Sequence, residues 1–260
     1  MSNSLAVIGG GNMARAIIDG AIAGNILVAG EIAIADPEQS SRDYFKQLGC
    51  VVTASAQELP DMECVLLAIK PQVFDEIASF VRAKVVYSIM AGVTTKRISQ
   101  QIGHGRIVRV MPNLPCSVGI GATGIALGDS ASQEDASLAR KLFSEIGIVV
   151  EVQEELMDAV TAVSGSGPAY LFMLAEAMIE GGVESGLTRE TATALVQQTV
   201  LGASELLIRD ERSAGELREA VTSEGGTTAA ALQVINDRHV LKAIADAVVA
   251  ARDRGSEIGN

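Results

Sequence analysis

The chain has 260 residues, 48% of them apolar but only 3% aromatic, with no Trp and 26 glycines. So large an apolar fraction excludes disorder, and no apolar run reaches the roughly 18 residues of a membrane span. A formal charge of −12, shared by both halves of the chain, leaves no basic stripe for nucleic acid. Three widely spaced cysteines (Cys50, Cys64, Cys116) and two histidines (His104, His239) argue against a disulfide framework and against a metal site. The N-terminus shows no charged segment leading into a long apolar stretch, so a cytoplasmic protein is expected.

The first part of the chain alternates short apolar runs with helical spacing. Residues 5–8 read as a strand ended by Gly9-Gly10-Gly11, and 13–23 as a helix. Residues 31–35 alternate as a strand, 39–48 read as a helix, and 51–52 and 64–69 as strands. The run over 64–69 is unbroken enough to be buried on both faces. Strands follow at 85–89, 107–111, 124–127 and 148–152, the last two flanking a helix over about 133–146. Strands alternating with helices of ten or so residues predict a doubly wound parallel α/β sheet.

Beyond about residue 155 the strand signals stop. Pro168 opens a run over 169–179 that is apolar nearly all round, as a buried helix would be. Thr188 can cap a second helix, and Ser213 with Glu216 has the spacing of a capping box. Residues 221–228 read as a loop, and 229–235 and 240–254 as helices. These apolar faces exceed what about one hundred residues can hide internally, which predicts a dimer. The division falls near residue 155: 1–155 as the dinucleotide-binding part, 156–260 as the helical part.

Gly9-x-Gly11-x-x-Ala14 follows a strand and opens a helix, the context a dinucleotide fingerprint requires. Gly9 would make the tight turn, Gly11 would admit the pyrophosphate, and Ala14 would let helix pack on strand. A glycine turn that merely joins strand to helix is the plainer alternative. Asp36 ends the second strand, where a carboxylate commonly bonds the adenosine ribose; it disfavours a 2′-phosphate, although Ser40, Ser41 and Arg42 lie close enough to receive one. Ile69-Lys70-Pro71, Ala91-Gly92 and Met111-Pro112-Asn113 end three further strands on one edge, so they should line one cleft. His104, in a Gly-His-Gly turn, reads as a surface residue. Two glycine-hydroxyl segments, Ser164-Gly-Ser-Gly-Pro168 and Thr222-Ser-Glu-Gly-Gly-Thr-Thr228, precede helices in the second part; their backbone N–H groups suit a small carboxylate or phosphate.

Together these residues resemble the pyrroline-5-carboxylate reductase family over nearly the whole chain. The resemblance rests on Ile8-Gly-Gly-Gly-Asn-Met-Ala14, Ala68-Ile-Lys-Pro-Gln72, Ala91-Gly-Val-Thr94 and Arg109-Val-Met-Pro-Asn113. In the second part it rests on Val163-Ser-Gly-Ser-Gly-Pro-Ala169, Gly181-Gly-Val183 and, most specifically, Leu217-Arg-Glu-Ala-Val-Thr-Ser-Glu-Gly-Gly-Thr-Thr228. It implies a Rossmann domain followed by an all-α dimerisation domain that interlocks with a partner, whose dimers commonly assemble into decamers. NADPH or NADH would bind at Gly9, Gly11, Asn12, Met13, Ala14, Asp36 and the three strand ends. It further implies that Ser223, Gly225, Gly226, Thr227 and Thr228 hold an imino-acid substrate, Thr228 as the catalytic residue at the ring nitrogen, and that one subunit's loop completes the other's site. Two positions depart from the family: Glu224 stands where a proline is usual, and Asp36 where a neutral residue is often seen.

Three alternatives stay open on the residues alone. One is a reductase of another cyclic imino acid. A second is a β-hydroxyacid dehydrogenase, which needs a second-domain lysine; after Lys141 this chain has only Lys242. The third, a coenzyme-binding regulator, would have no use for the 223–228 loop.

Overall fold

The computed structural model describes residues 5–259. Eight strands form one sheet in the order β3-β2-β1-β4-β5-β6-β7-β8. They are β1 (Leu5–Ile8), β2 (Ile32–Ala35), β3 (Val51–Thr53), β4 (Met62–Leu67), β5 (Ala83–Ser88), β6 (Ile107–Met111), β7 (Gly121–Leu127) and β8 (Gly147–Glu151). The helices between them are α1 (Asn12–Ala23), α2 (Gln39–Gln47), the single turn α3 (Phe74–Ile77), α4 (Thr95–Ile102) and α5 (Asp135–Ser144). Every residue of β1 is buried, and the strand alternates between two cores. Leu5 and Val7 join the cluster of Ile17, Ile18, Leu142 and Phe143, while Ala6 and Ile8 join that of Phe74, Ala78 and Ile98. Helices therefore cover both faces of a doubly wound sheet.

Strands β1 to β6 run parallel, whereas β7 runs antiparallel to β6 and β8 pairs parallel with β7. The wholly parallel sheet expected from the sequence is corrected at this edge. Only the segment between Met111 and Gly121 joins β6 to β7, with one 3-10 stretch at Leu114–Val118. A parallel crossover needs a dozen or more residues, so the chain must reverse.

After β8 come the turn α6 (Met157–Val160), a π-helical turn at Thr161–Gly165, and α7 (Gly167–Glu184), α8 (Arg189–Arg209), α9 (Ala214–Ala220), α10 (Thr227–Asp237) and α11 (Val240–Gly259). Thr188 Oγ1 caps α8 by accepting from the Thr191 N–H, and Ser213 with Glu216 forms the expected capping box of α9. The chain divides into two compact units, one through Ser166 together with the chain from Val249 onward, the other Gly167–Val248. In the second unit only Ala192 and Val196 are buried. The buried helix expected after Pro168 is thus bare in a single chain: Leu171, Phe172, Met173 and Leu174 of α7 all face solvent. Four consecutive apolar residues point all round the helix, and one layer of neighbours cannot cover them. Among the described residues, no helix is long and apolar enough to cross a membrane, and no three His, Cys, Asp or Glu side chains are grouped to hold a metal ion.

Candidate active site

The order β3-β2-β1-β4-β5-β6 reverses direction between β1 and β4, the point where open α/β sheets bind ligands beyond their strand ends. Gly9 leaves β1 there with φ +99°, and its N–H donates to the Ala35 carbonyl at 2.8 Å. A Cβ on Gly9 would fall on the Ala68 carbonyl oxygen just beyond β4, so both the backbone angle and the space demand glycine. Around Gly11 the space is open, with no atom within 4 Å of where its Cβ would stand. Gly11 caps α1 without a side-chain bond, and the first turn carries no acid. The first-turn N–H groups at Asn12, Met13 and Ala14 therefore present an uncompensated positive dipole end. Ala14 is buried against the sheet, while Asn12 is exposed.

Asp36 is buried and braces this turn. Its Oδ2 accepts the Gly10 N–H at 2.5 Å and its Oδ1 the Glu38 N–H at 2.8 Å. Each oxygen keeps a second lone pair, which is what a ribose hydroxyl would use. Ser41 is buried and donates to the Gly10 carbonyl at 2.9 Å, so it is not a phosphate ligand in this conformation. Arg42 turns back, Nη1 donating to the carbonyls of Asp36 and Pro37, each at 2.6 Å. Besides a ribose ligand, the sequence offers Asp36-Pro37 as a strand-end turn, and the bond from the Glu38 N–H is that turn; the internal bonds of Ser41 and Arg42 have no such local signal.

The other predicted strand ends collect on the same edge. Ile69 is half-buried, exposed Lys70 precedes a 3-10 turn starting at Pro71, and Ala91-Gly92 follows β5 with Gly92 buried. Met111 ends β6, Pro112 is buried, and Asn113 is bound within the protein: its Oδ1 accepts the Ala122 N–H at 2.9 Å and its Nδ2 donates to the Ser164 carbonyl at 3.2 Å. Ser164 lies in the π turn, so the first glycine-serine segment belongs to the unit that carries the sheet as far as Ser166, while Gly167 and Pro168 start α7.

The second segment starts α10. Thr227 and Thr228, expected in the loop, form the first helical turn, with Gly226 as the cap. The Gly226 N–H is already used, donating to the Ser223 carbonyl at 3.1 Å. No side chain caps the helix and no acid sits in its first turn, which leaves the Thr227 and Thr228 N–H groups to an outside acceptor. Glu224 and Ser223 are exposed; Thr228 is half-buried.

A charged cluster that motif reading missed lies behind the strand ends. Arg109, only 3% exposed, donates from Nη2 to Asp158 Oδ1 at 2.9 Å, with Nη1 3.9 Å from Glu154. Glu154 accepts from the Thr95 N–H at 2.6 Å and from the Thr95 hydroxyl, and Ser256 donates to Asp158 at 3.1 Å. The signal was a charge inside the apolar run Ile107-Val-Arg-Val-Met111. His104 also departs from expectation: its side chain is half-buried and Nε2 is buried with no partner among the described residues. Helix α4 ends at Gly103 with φ +82°, whose N–H donates to the Ser99 carbonyl. Burial, then the nearby Arg106 charge, lowers the His104 pKa. Burial also pushes the Cys50 thiol up to about 11 and that of Cys64 upward, so neither serves as a thiolate nucleophile near neutral pH.

The switch point, the glycine turn and the bare start of α1 define a Rossmann-type nicotinamide-coenzyme oxidoreductase, and the open space at Gly11 fits a pyrophosphate. A family model described as "Pyrroline-5-carboxylate reductase dimerisation" matches residues 154–258, and one described as "NADP oxidoreductase coenzyme F420-dependent" matches residues 4–92. A pyrroline-5-carboxylate reductase of Synechocystis is 42% identical over 265 residues, covering 100% of this chain and 99% of that protein. The solved structure of a pyrroline-5-carboxylate reductase from Coxiella burnetii matches with a TM-score of 0.89 at 36% identity, covering 100% of both chains. That of the Plasmodium falciparum pyrroline carboxylate reductase with NADP bound matches with 0.89 at 28%, also over 100% of both. The chain belongs to the pyrroline-5-carboxylate reductase family, and its helical part is a dimerisation domain.

Proposed function

We propose that the chain reduces 1-pyrroline-5-carboxylate to L-proline with NADPH or NADH, the last step of proline biosynthesis. The full-length relation to reductases of that name carries the reading. Residues 1–155 form the dinucleotide-binding part, and 156–260 the dimerisation and substrate-binding part. Gly9, Gly11, Asn12, Met13 and Ala14 take the pyrophosphate at the start of α1, and Asp36 the ribose. Ile69-Lys70-Pro71, Ala91-Gly92 and Met111-Pro112 line the cleft beyond it, and Asn113, expected there from the sequence, stands at the end of that row with its side chain bound within the protein. The protein works in the cytoplasm as an interlocked homodimer.

When bound, the reduced nicotinamide supplies the hydride; the chain must hold the imine, its proton and its charge. The substrate carboxylate binds at the uncapped start of α10, on the Thr227 and Thr228 N–H groups and the Ser223 hydroxyl, with Gly225 and Gly226 keeping the backbone approachable. The Thr228 hydroxyl bonds the ring nitrogen and holds its proton, so the nitrogen is cationic on reduction and amine afterwards. No strong acid is required, because orientation and charge complementarity lower the barrier. Replacing Thr228 by Ala should lower kcat/KM about a hundredfold while the Kd for NADPH holds. Coenzyme oxidation with pyrroline-5-carboxylate, a six-membered cyclic imine and a hydroxyacid panel, run with both coenzymes, checks the reading. Oxidation with no imine rejects it, and unchanged kcat/KM in the variant removes the role of Thr228.

A further inference from the structure

Asn113 stands just beyond the end of β6, in the row of strand ends proposed to line the coenzyme cleft, yet its carboxamide is engaged within the protein. Oδ1 accepts the Ala122 N–H at 2.9 Å, and the Cys116 thiol lies 3.9 Å away. Nδ2 is 3.2 Å from the Ser164 carbonyl and 3.3 Å from Ser164 Oγ, which in turn donates to the Ala122 carbonyl at 3.3 Å. A carboxamide offers two donor hydrogens and one acceptor oxygen. Both ends are therefore occupied, leaving little for a coenzyme.

The segment so held is the π turn Thr161–Gly165, closed by the Ser166 N–H donating to the Thr161 carbonyl at 2.8 Å. Such turns are rare, and tertiary partners must sustain them. Here packing adds to the bonds: a Cβ on Gly165 would stand 2.9 Å from Met111 Cε, and one on Gly124 of β7 only 2.6 Å from Val160. Beyond the turn, only Ser166 separates it from Gly167, where α7 begins.

We infer that Asn113 is a positioning residue, whose amide latches the π turn to the ends of β6 and β7 and so steadies Met111, which packs against Gly165 at the end of β6. Its kinetic consequence rests on the reductase reading, since a catalyst that works by orientation loses rate when its support shifts by about 1 Å. Asn113→Asp is nearly isosteric; it keeps an acceptor for Ala122 and loses both donors to Ser164. Expected are at least tenfold faster amide hydrogen exchange over 161–166, kcat lowered about tenfold or more, and a Kd for NADPH, from bound-coenzyme fluorescence, within twofold of the parent. Ser164→Ala, which keeps the carbonyl acceptor, should fall between. Asn113→Ala probes complete loss of the latch; if it fails to fold, the other two variants still decide. A tenfold rise in the NADPH Kd with exchange unchanged makes Asn113 a coenzyme ligand and overturns the inference, as does no change in any readout. Absence of turnover in the parent protein would reject the reductase reading alone, because exchange over 161–166 tests the latch independently.

Discussion

The sheet-bearing unit buries its own apolar residues, whereas Gly167–Val248 buries two, Ala192 and Val196. Both stretches are rich in Ala, Val, Leu and Ile, so composition does not separate them. A sheet has two faces, and each closes against helices supplied by the same chain. Helices α7 and α8 are apolar on more sides than one chain covers, so their burial requires a second copy. The coenzyme part can thus be complete in one protomer, and the helical part is unfinished in one.

The largest test of that contrast is to charge the bare face. Phe172→Glu should convert dimer to monomer in light scattering, and much of the helical signal of 167–248 should melt at lower temperature. NADPH binding should remain, since the sheet core is untouched. Loss of coenzyme affinity together with the dimer would break the comparison.

A smaller effect is expected within the sheet unit. Arg109→Met strands Asp158 and Glu154 without their cation. A fully buried pair broken this way costs about 3–5 kcal/mol; the two carboxylates are 20% and 22% exposed, so about 2–3 is expected. Urea unfolding followed at the sheet unit measures it, and an unchanged midpoint would remove the cluster from the stability of that unit.

The smallest effect concerns His104. Its folded pKa is lowered, so the unfolded chain binds the proton more readily. The neutral histidine costs nothing above the unfolded pKa of about 6.5, and stability should fall as pH drops through and below that value. In His104→Asn this part of the slope should vanish, with stability above pH 7 changed by under about 1 kcal/mol. An identical pH profile in parent and variant would show that burial of Nε2 carries no titration cost.

Much of this was legible along the chain. The Gly9–Ala14 turn was readable because glycine is required where a strand meets a helix tightly, and Thr188, Ser213 and Glu216 because capping depends on local spacing. The helix 95–102 escaped notice, being two turns long with a polar face. The Arg109 cluster escaped because its partners lie 45 or more residues away and only folding brings them together. Asp36 and Asn113 were picked out as residues at strand ends, while their internal bonds to Gly10, Ser164 and Ala122 were not, since donors can be counted in a sequence but not paired.

Sequence alone determined the family and the class of fold, a strand–glycine–helix start to a doubly wound sheet followed by helices, because each follows from short-range chemistry or from periodicity. Tertiary structure decided the reversal of β7, the inward turn of Asp36, Ser41 and Asn113, the place of the π turn in the sheet unit, and the bareness of α7. These depend on which distant groups meet, and burial makes that meeting decisive: a polar group inside must find its partner, and an apolar face outside must find its cover.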